Sequence, residues 1–231
     1  MTTTSSDPLT NLREVGGAGF QALSRPGRRV VFRANTEPGI GPDAYPPSVA
    51  RVIDLRRDDE IDAVPHPLAF LAGYRSVPMF DPSSTLESDP AALRLEEQYD
   101  DWIVRHRQTI GEVFRALSDS GSRDETGAAA DVLICCSAGK DRTGVVSALL
   151  ARLWGADLER VGADYAVTGP NLAARFAGER AVSTDLETTS RMQRCVPETA
   201  VHVIERVESA YGSVAGYLRW LGLTDAQIGS L

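Results

Sequence analysis

The stretch 132–154, VLICCSAGKDRTGVVSALLARLW, decides how this chain folds. Val132 to Cys135 is a compact apolar run, the pattern of a strand buried on both faces of a parallel sheet. After a short turn the period changes. Val145, Val146, Leu149, Leu150, Leu153 and Trp154 then define a helix that is apolar nearly all round, hence central. Strand, tight turn and buried helix together are the repeating unit of an α/β domain.

Outward from this stretch, β-branched runs at Val30–Phe32, Val52–Leu55 and Arg75–Val77 read as further strands, the first two separated by a Pro- and Gly-rich loop from Glu37 to Pro47. Leu93, Trp102, Ile103, Ile110, Val113, Phe114 and Leu117 recur at helical spacing. They predict one long helix from an Asp89-Pro90 start to a Ser120-Gly121 stop. The stretch 156–231 is helical in character, with Thr224 and Gln227 forming a capping box before the last segment. The expected fold is therefore α/β, with a central, mainly parallel sheet flanked by helices and an all-helical C-terminal half. Residues 1–10, polar and rich in Thr and Ser, read as a frayed tail, and 11–231 as a single domain.

Composition narrows the function. The 231 residues are 42% hydrophobic and 24% charged, ordinary globular usage, and a net charge of -8 argues against nonspecific nucleic-acid binding. No apolar run approaches the roughly 18 residues that a membrane span needs, and the polar start MTTTSSDPLT is no secretory signal. The expected location is cytoplasmic, with signal-independent secretion as the variant. Cys135, Cys136 and Cys195 are too few and badly spaced for a disulfide scaffold. His66, His106 and His202 lack ligand spacing, so no metal is expected. Among the 24 basic residues, Lys140 is the single lysine.

The turn itself carries chemistry. Cys136 closes the strand and, after five intervening residues, Arg142 opens the helix. A short loop of this kind aims backbone N–H groups inward at a helix N-terminus, which suits a tetrahedral anion. Arg142 adds a planar fork for two phosphate oxygens. The same field favours thiolate over thiol at Cys136. Ser137, Ala138, Gly139, Lys140, Asp141 and Arg142 are thus the candidate phosphate-binding residues. A Walker A loop is excluded, because Gly139-Lys140 is followed by Asp141.

CSAGKDRTG resembles the signature loop of the cysteine-dependent protein tyrosine phosphatase superfamily, in particular the bacterial tyrosine/serine, dual- or triple-specificity branch of PtpB type. Four further segments share that likeness: Asn11 to Gly17, Val31 to Ala34, Val52 to Arg56 with Glu60, and the ending Tyr211 to Gly222. The resemblance implies a phosphatase fold with additional C-terminal helices and candidate lid helices, from Tyr165 to about residue 198. It implies a metal-independent hydrolase without cofactor, acting on phosphotyrosine, phosphoserine or phosphothreonine proteins, or on phosphoinositides. It assigns Cys136 as nucleophile forming a phosphocysteine, Arg142 as transition-state clamp, Thr143 as hydrogen-bond donor to the leaving sulfur, and Asp141 as general acid. Asp81, in an Asp-Pro turn, is the rival acid. Arg33, Arg56 and Glu60 read as ion pairs bracing the sheet edge. Lys140 reads as a second cation beside the phosphate, suited to substrates with several anionic groups.

One position departs from the family pattern. Cys135 stands where the family carries His, which lowers the expected support for the Cys136 thiolate and raises an alternative: a phosphate-binding pseudophosphatase. The adjacent thiol also raises a redox reading, in which Cys135 or Cys195 captures an oxidised Cys136. The oligomeric state is not legible.

Overall fold

The computed structural model describes residues 9–80, 94–118 and 130–231. Asp81, the Asp89-Pro90 helix start and the Ser120-Gly121 stop lie outside the described residues, as do residues 1–8 of the expected tail. Leu9, assigned to that tail on sequence, is buried.

Five strands form one sheet: β1 (Arg13–Glu14), β2 (Val31–Ala34), β3 (Val49–Asp54), β4 (Gly73–Ser76) and β5 (Asp131–Cys135). Their order is β1-β2-β5-β3-β4, parallel throughout except for the antiparallel β1 at one edge. The last strand in sequence thus occupies the centre, between β2 and β3. Ligand sites of open α/β sheets lie outside the carboxyl ends of strands where connections diverge, and here that point is the end of β5.

Strand alternation sorts its side chains. Val132, Ile134 and Cys136 join the apolar cluster on one face, Leu133 and Cys135 the smaller cluster on the other. Helices α1 (Phe20–Ser24) and α2 (Asp58–Ala63) fill early connections, followed by α3 (Leu95–Arg105) and α4 (Arg107–Ser118). The expected single helix is therefore two, interrupted at His106, whose backbone leaves helical geometry at φ -96° and ψ 26°. There the Thr109 hydroxyl bonds the His106 and Met79 carbonyls, and the His106 ring packs on Phe80; the contacts to Met79 and Phe80 are distant in sequence, and periodicity cannot reveal them.

The central helix is α5 (Arg142–Leu153), buried continuously from Arg142 to Ala151. Val145, Val146, Leu149 and Leu150 each contribute about 1.5–3 kcal/mol by leaving water. The C-terminal half continues as α6 (Leu158–Ala166), α7 (Thr168–Asn171), α8 (Ala173–Val182), α9 (Leu186–Met192), α10 (Pro197–Tyr211), α11 (Val214–Trp220) and α12 (Asp225–Ser230). Local chemistry sets these boundaries. Pro197 opens α10 and Gly212, at φ +77°, ends it. The expected Thr224–Gln227 capping box closes with bonds of 2.9 and 3.2 Å. No helix among the described residues is long and apolar enough to cross a membrane.

Candidate active site

Residues 136–142 form a loop from the buried end of β5 to the first residue of α5. Its carbonyls are tied down from outside. Asn11 Nδ2 donates to the carbonyls of Ala138 and Gly139 at 3.1 and 3.2 Å, and Arg33 Nη2 donates to Gly139 at 2.8 Å. The Thr36 amide and Arg175 Nη1 both donate to the Ser137 carbonyl at 3.0 Å. These bonds brace the loop from outside, and the Cys136 side chain at its start is buried.

Gly139 is where only glycine fits. Its φ is +65°, and an added Cβ would lie 2.5 Å from the Ala34 carbonyl oxygen. Gly139→Ala is expected to cost about 2 kcal/mol, lowering the Tm by about 4–8 °C for a chain of this size. Differential scanning calorimetry beside an aryl phosphate assay checks this, since displacing the loop must lower turnover as well.

Arg142 is held in a bidentate pair. Its Nη1 and Nη2 donate to Glu60 Oε2 and Oε1 at 2.6 and 2.7 Å, and Nη1 also reaches the Leu55 carbonyl at 3.3 Å. Glu60 in turn accepts the Arg57 amide at the start of α2, at 3.0 Å. Burial alone would push the Glu60 carboxyl up, but Arg142 outweighs it and holds that carboxyl below its ordinary range. Glu60 therefore orients the loop arginine, a more specific task than the sheet-edge brace expected on sequence. The other two expected ion pairs do brace the scaffold. Arg56 pairs with Asp54 at 2.7 Å, and Arg33 with Asp164 at 2.8 Å. Arg13 takes the other oxygen of Asp164 at 2.7 Å. Burial pushes the Asp164 carboxyl up, yet the two guanidiniums prevail and keep it below the usual range.

Asp141 stands at the N-terminal boundary of α5, makes no side-chain capping bond, and its side chain is 28% exposed. Its Oδ1 lies 2.7 Å from Lys140 Nζ and 2.5 Å from Tyr99 Oη. The Lys140 ammonium is buried against Asp141, Tyr165 and the Arg194 carbonyl. Burial favours its neutral form, but Asp141, Tyr165 and Cys195 outweigh that and raise its pKa. Thr143 is fully buried at the first turn of α5, and its hydroxyl has no hydrogen-bond partner among the described residues. Cys135 points to the opposite face from Cys136, and burial raises its pKa well above the ordinary thiol value. Cys195 is half-buried beside Lys140, and burial raises its thiol pKa too, against the pull of that lysine.

The helices expected as a lid pack directly on the loop. From α8, Arg175 reaches both the carbonyl and the hydroxyl of Ser137 at 3.0 Å, and pairs with Glu37 at 3.0 Å. Arg175, Tyr99 and Asn35 (which accepts the Asn11 amide at 3.2 Å) have no local motif that would have singled them out. Asn11 and Arg13 were signalled only through the likeness of the segment that holds them.

A cysteine and an arginine at the two ends of a braced loop, at the carboxyl end of the central parallel strand, define the class of the cysteine-dependent phosphatases. The tyrosine phosphatase family profile matches residues 5–231, and the chain belongs to that family. It is 29% identical to the triple specificity protein phosphatase PtpB of Mycobacterium tuberculosis, over 96% of this chain and 86% of that protein. A tyrosine-protein phosphatase of Nostoc commune is 28% identical over 77% of this chain and 58% of its own length.

Proposed function

We propose that this phosphatase hydrolyses phosphomonoesters through a phosphocysteine at Cys136, acting on phosphotyrosine proteins, on phosphoserine or phosphothreonine proteins, or on phosphoinositides. The observation that carries the reading is the arrangement of Arg142, presented by α5 at the mouth of the loop and pre-aligned by Glu60. The Cys136 thiolate attacks phosphorus as the bond to the leaving oxygen breaks, and Asp141 gives that oxygen its proton. The loop amides of Ser137 to Arg142 and the Arg142 guanidinium hold the three equatorial oxygens as charge develops. Water then attacks the phosphocysteine, Asp141 takes its proton, and the Cys136 thiolate leaves with the free Thr143 hydroxyl as the nearby donor. The cycle consumes one water and releases orthophosphate, with no redox change or cofactor.

A broad substrate range is supported by the name of the triple specificity relative and by the partial exposure of the Asp141 side chain. Hydrolysis compared across phosphotyrosine peptides, phosphoserine peptides and soluble inositol phospholipid head groups ranks the three classes.

The role of Asp141 is tested by pH. A general acid works protonated, so kcat/KM falls as pH rises through its pKa. Asp141→Asn is expected to lose this basic limb and about 10²- to 10⁴-fold of rate, whereas Asp81→Asn keeps both. The opposite pattern assigns the acid to Asp81.

A further inference from the structure

We infer that Lys140, Tyr165 and Tyr99 form a directed hydrogen-bond ring that fixes Asp141 Oδ1 as an acceptor and makes Oδ2 the atom that carries the catalytic proton. The inference rests on the reading of Asp141 as general acid and goes beyond it by naming the oxygen and the residues that position it.

The direction of each bond follows from counting protons. Lys140 Nζ has three to give and accepts none. Three acceptors surround it: Asp141 Oδ1 at 2.7 Å, Tyr165 Oη at 3.5 Å and the Arg194 carbonyl at 3.5 Å. Tyr99 has one hydroxyl proton, and it is committed to Asp141 Oδ1 at 2.5 Å. The Tyr99–Tyr165 contact at 3.0 Å must then be donated by Tyr165. Tyr165, its proton spent on Tyr99, is an acceptor for Lys140. The wiring is thus Lys140 to Tyr165 to Tyr99 to Asp141, with Lys140 also donating to Asp141 directly. Both paths end on the same oxygen.

Tyr99 and Tyr165 are each 1% exposed and Lys140 3%, so little water competes with these bonds. Asp141 Oδ2 makes no hydrogen bond among the described residues, and the side chain reaches solvent. An oxygen that already accepts two donors is poorly placed to bind a proton, and the free oxygen takes it. The members come from three places in the sequence: Tyr99 from α3, Lys140 and Asp141 from the loop, Tyr165 from α6. Among the described residues, the other charged or titratable groups shown to interact with Asp141 are Arg142, beside it on the loop, and Cys195, from the segment after α9. Tyr99 and Tyr165 both have hydroxyl pKa values pushed up, chiefly by burial, so they stay protonated donors across the working pH range.

Removing the Tyr99 hydroxyl takes a donor from the carboxylate form of Asp141. With the carboxylate form less stabilised, the descending basic limb of kcat/KM moves to higher pH. For Tyr99→Phe the expected move is about one pH unit. Mispositioning of Oδ2 must also cost most where the leaving oxygen most needs a proton. The loss of kcat/KM is therefore expected to be about tenfold greater for phenyl phosphate than for 4-nitrophenyl phosphate. Tyr165→Phe should show both effects in the same direction and smaller, and serves if Tyr99→Phe does not fold. Thermal unfolding of each variant separates loss of fold from loss of positioning.

An unmoved basic limb in both variants, with equal losses for the two esters, while Asp141→Asn abolishes the limb, overturns the ring and leaves the general acid standing. An Asp141→Asn enzyme that keeps the limb overturns the general-acid reading, and the ring with it.

Discussion

Cys136→Ser is expected to lower turnover of an aryl phosphate by about 10⁴-fold or more while leaving the protein able to bind vanadate or orthophosphate. The reason is nucleophilicity. A free thiol is already a few per cent ionised at neutral pH and intrinsically strongly nucleophilic, and Cys136 lies in the field of Arg142 at the start of α5. A serine hydroxyl starts many units higher, beyond what that field overcomes. Removing one member of a concerted catalytic unit removes nearly all of its rate. The anion site proposed for this loop rests on backbone and on Arg142, so binding is expected to survive the loss of the Cys136 sulfur. Steady-state assays with the reduced protein, together with vanadate binding by calorimetry, measure both quantities. Residual turnover near wild type would dismiss Cys136 as nucleophile. A wild-type protein that binds vanadate and never turns over would instead describe the pseudophosphatase that Cys135 raised as an alternative.

The second large effect is expected from Arg142→Lys, a drop in kcat of about 10³-fold with a smaller change in KM. Lysine keeps the charge but loses the fork. In the present geometry both terminal nitrogens of Arg142 are aligned on the two oxygens of Glu60, at 2.6 and 2.7 Å. The side chain is thereby fixed before substrate arrives, and its planar donors meet equatorial oxygens without a search through rotamers. A lysine ammonium bonds Glu60 as a point and cannot hold two phosphoryl oxygens in register. Each donor lost from an oxyanion-type site costs about 10²- to 10³-fold in kcat. Ground-state phosphate is held by the loop amides as well, so binding suffers less than the chemical step. A Glu60→Gln variant should lie between wild type and Arg142→Lys, because the arginine then keeps its charge and part of its alignment. Equal losses in kcat and in phosphate affinity for Arg142→Lys would mean the arginine only binds.

Most of the fold was legible because its strongest signals are local. An apolar run at Val132–Cys135 has few other places to go than the middle of a parallel sheet, and a helix apolar on all sides at Val145–Trp154 few other than between that sheet and further helices; they lie there. The Thr224–Gln227 box acts through neighbouring backbone groups, so that helix start could be read directly. The one long helix expected through His106 failed for the opposite reason. Its interruption depends on Thr109 reaching the Met79 carbonyl and on Phe80 packing against the His106 ring, contacts across the fold. The two-residue strand β1 was too short to show any alternation.

The site divides in the same way. The sequence alone marked the candidate loop: Cys136, the glycine at a position where a side chain would meet the Ala34 carbonyl, and Arg142 at a helix start lie within seven consecutive residues, and residue type and spacing propose an anion cradle there. Tertiary structure decided the partners. Glu60, 82 residues from Arg142 along the chain, became the group that aims it. Tyr99, 42 positions before Asp141, closed on its carboxylate, and Tyr165 bonds Tyr99 from behind. Lys140 shows the division within one residue. Its place between Gly139 and Asp141 put it in the cradle, but its ammonium turns inward to Asp141, Tyr165 and the Arg194 carbonyl. A buried ammonium goes where enough acceptors converge to replace its water, and only the packing of α3, α6 and the segment after α9 brings those acceptors to one point.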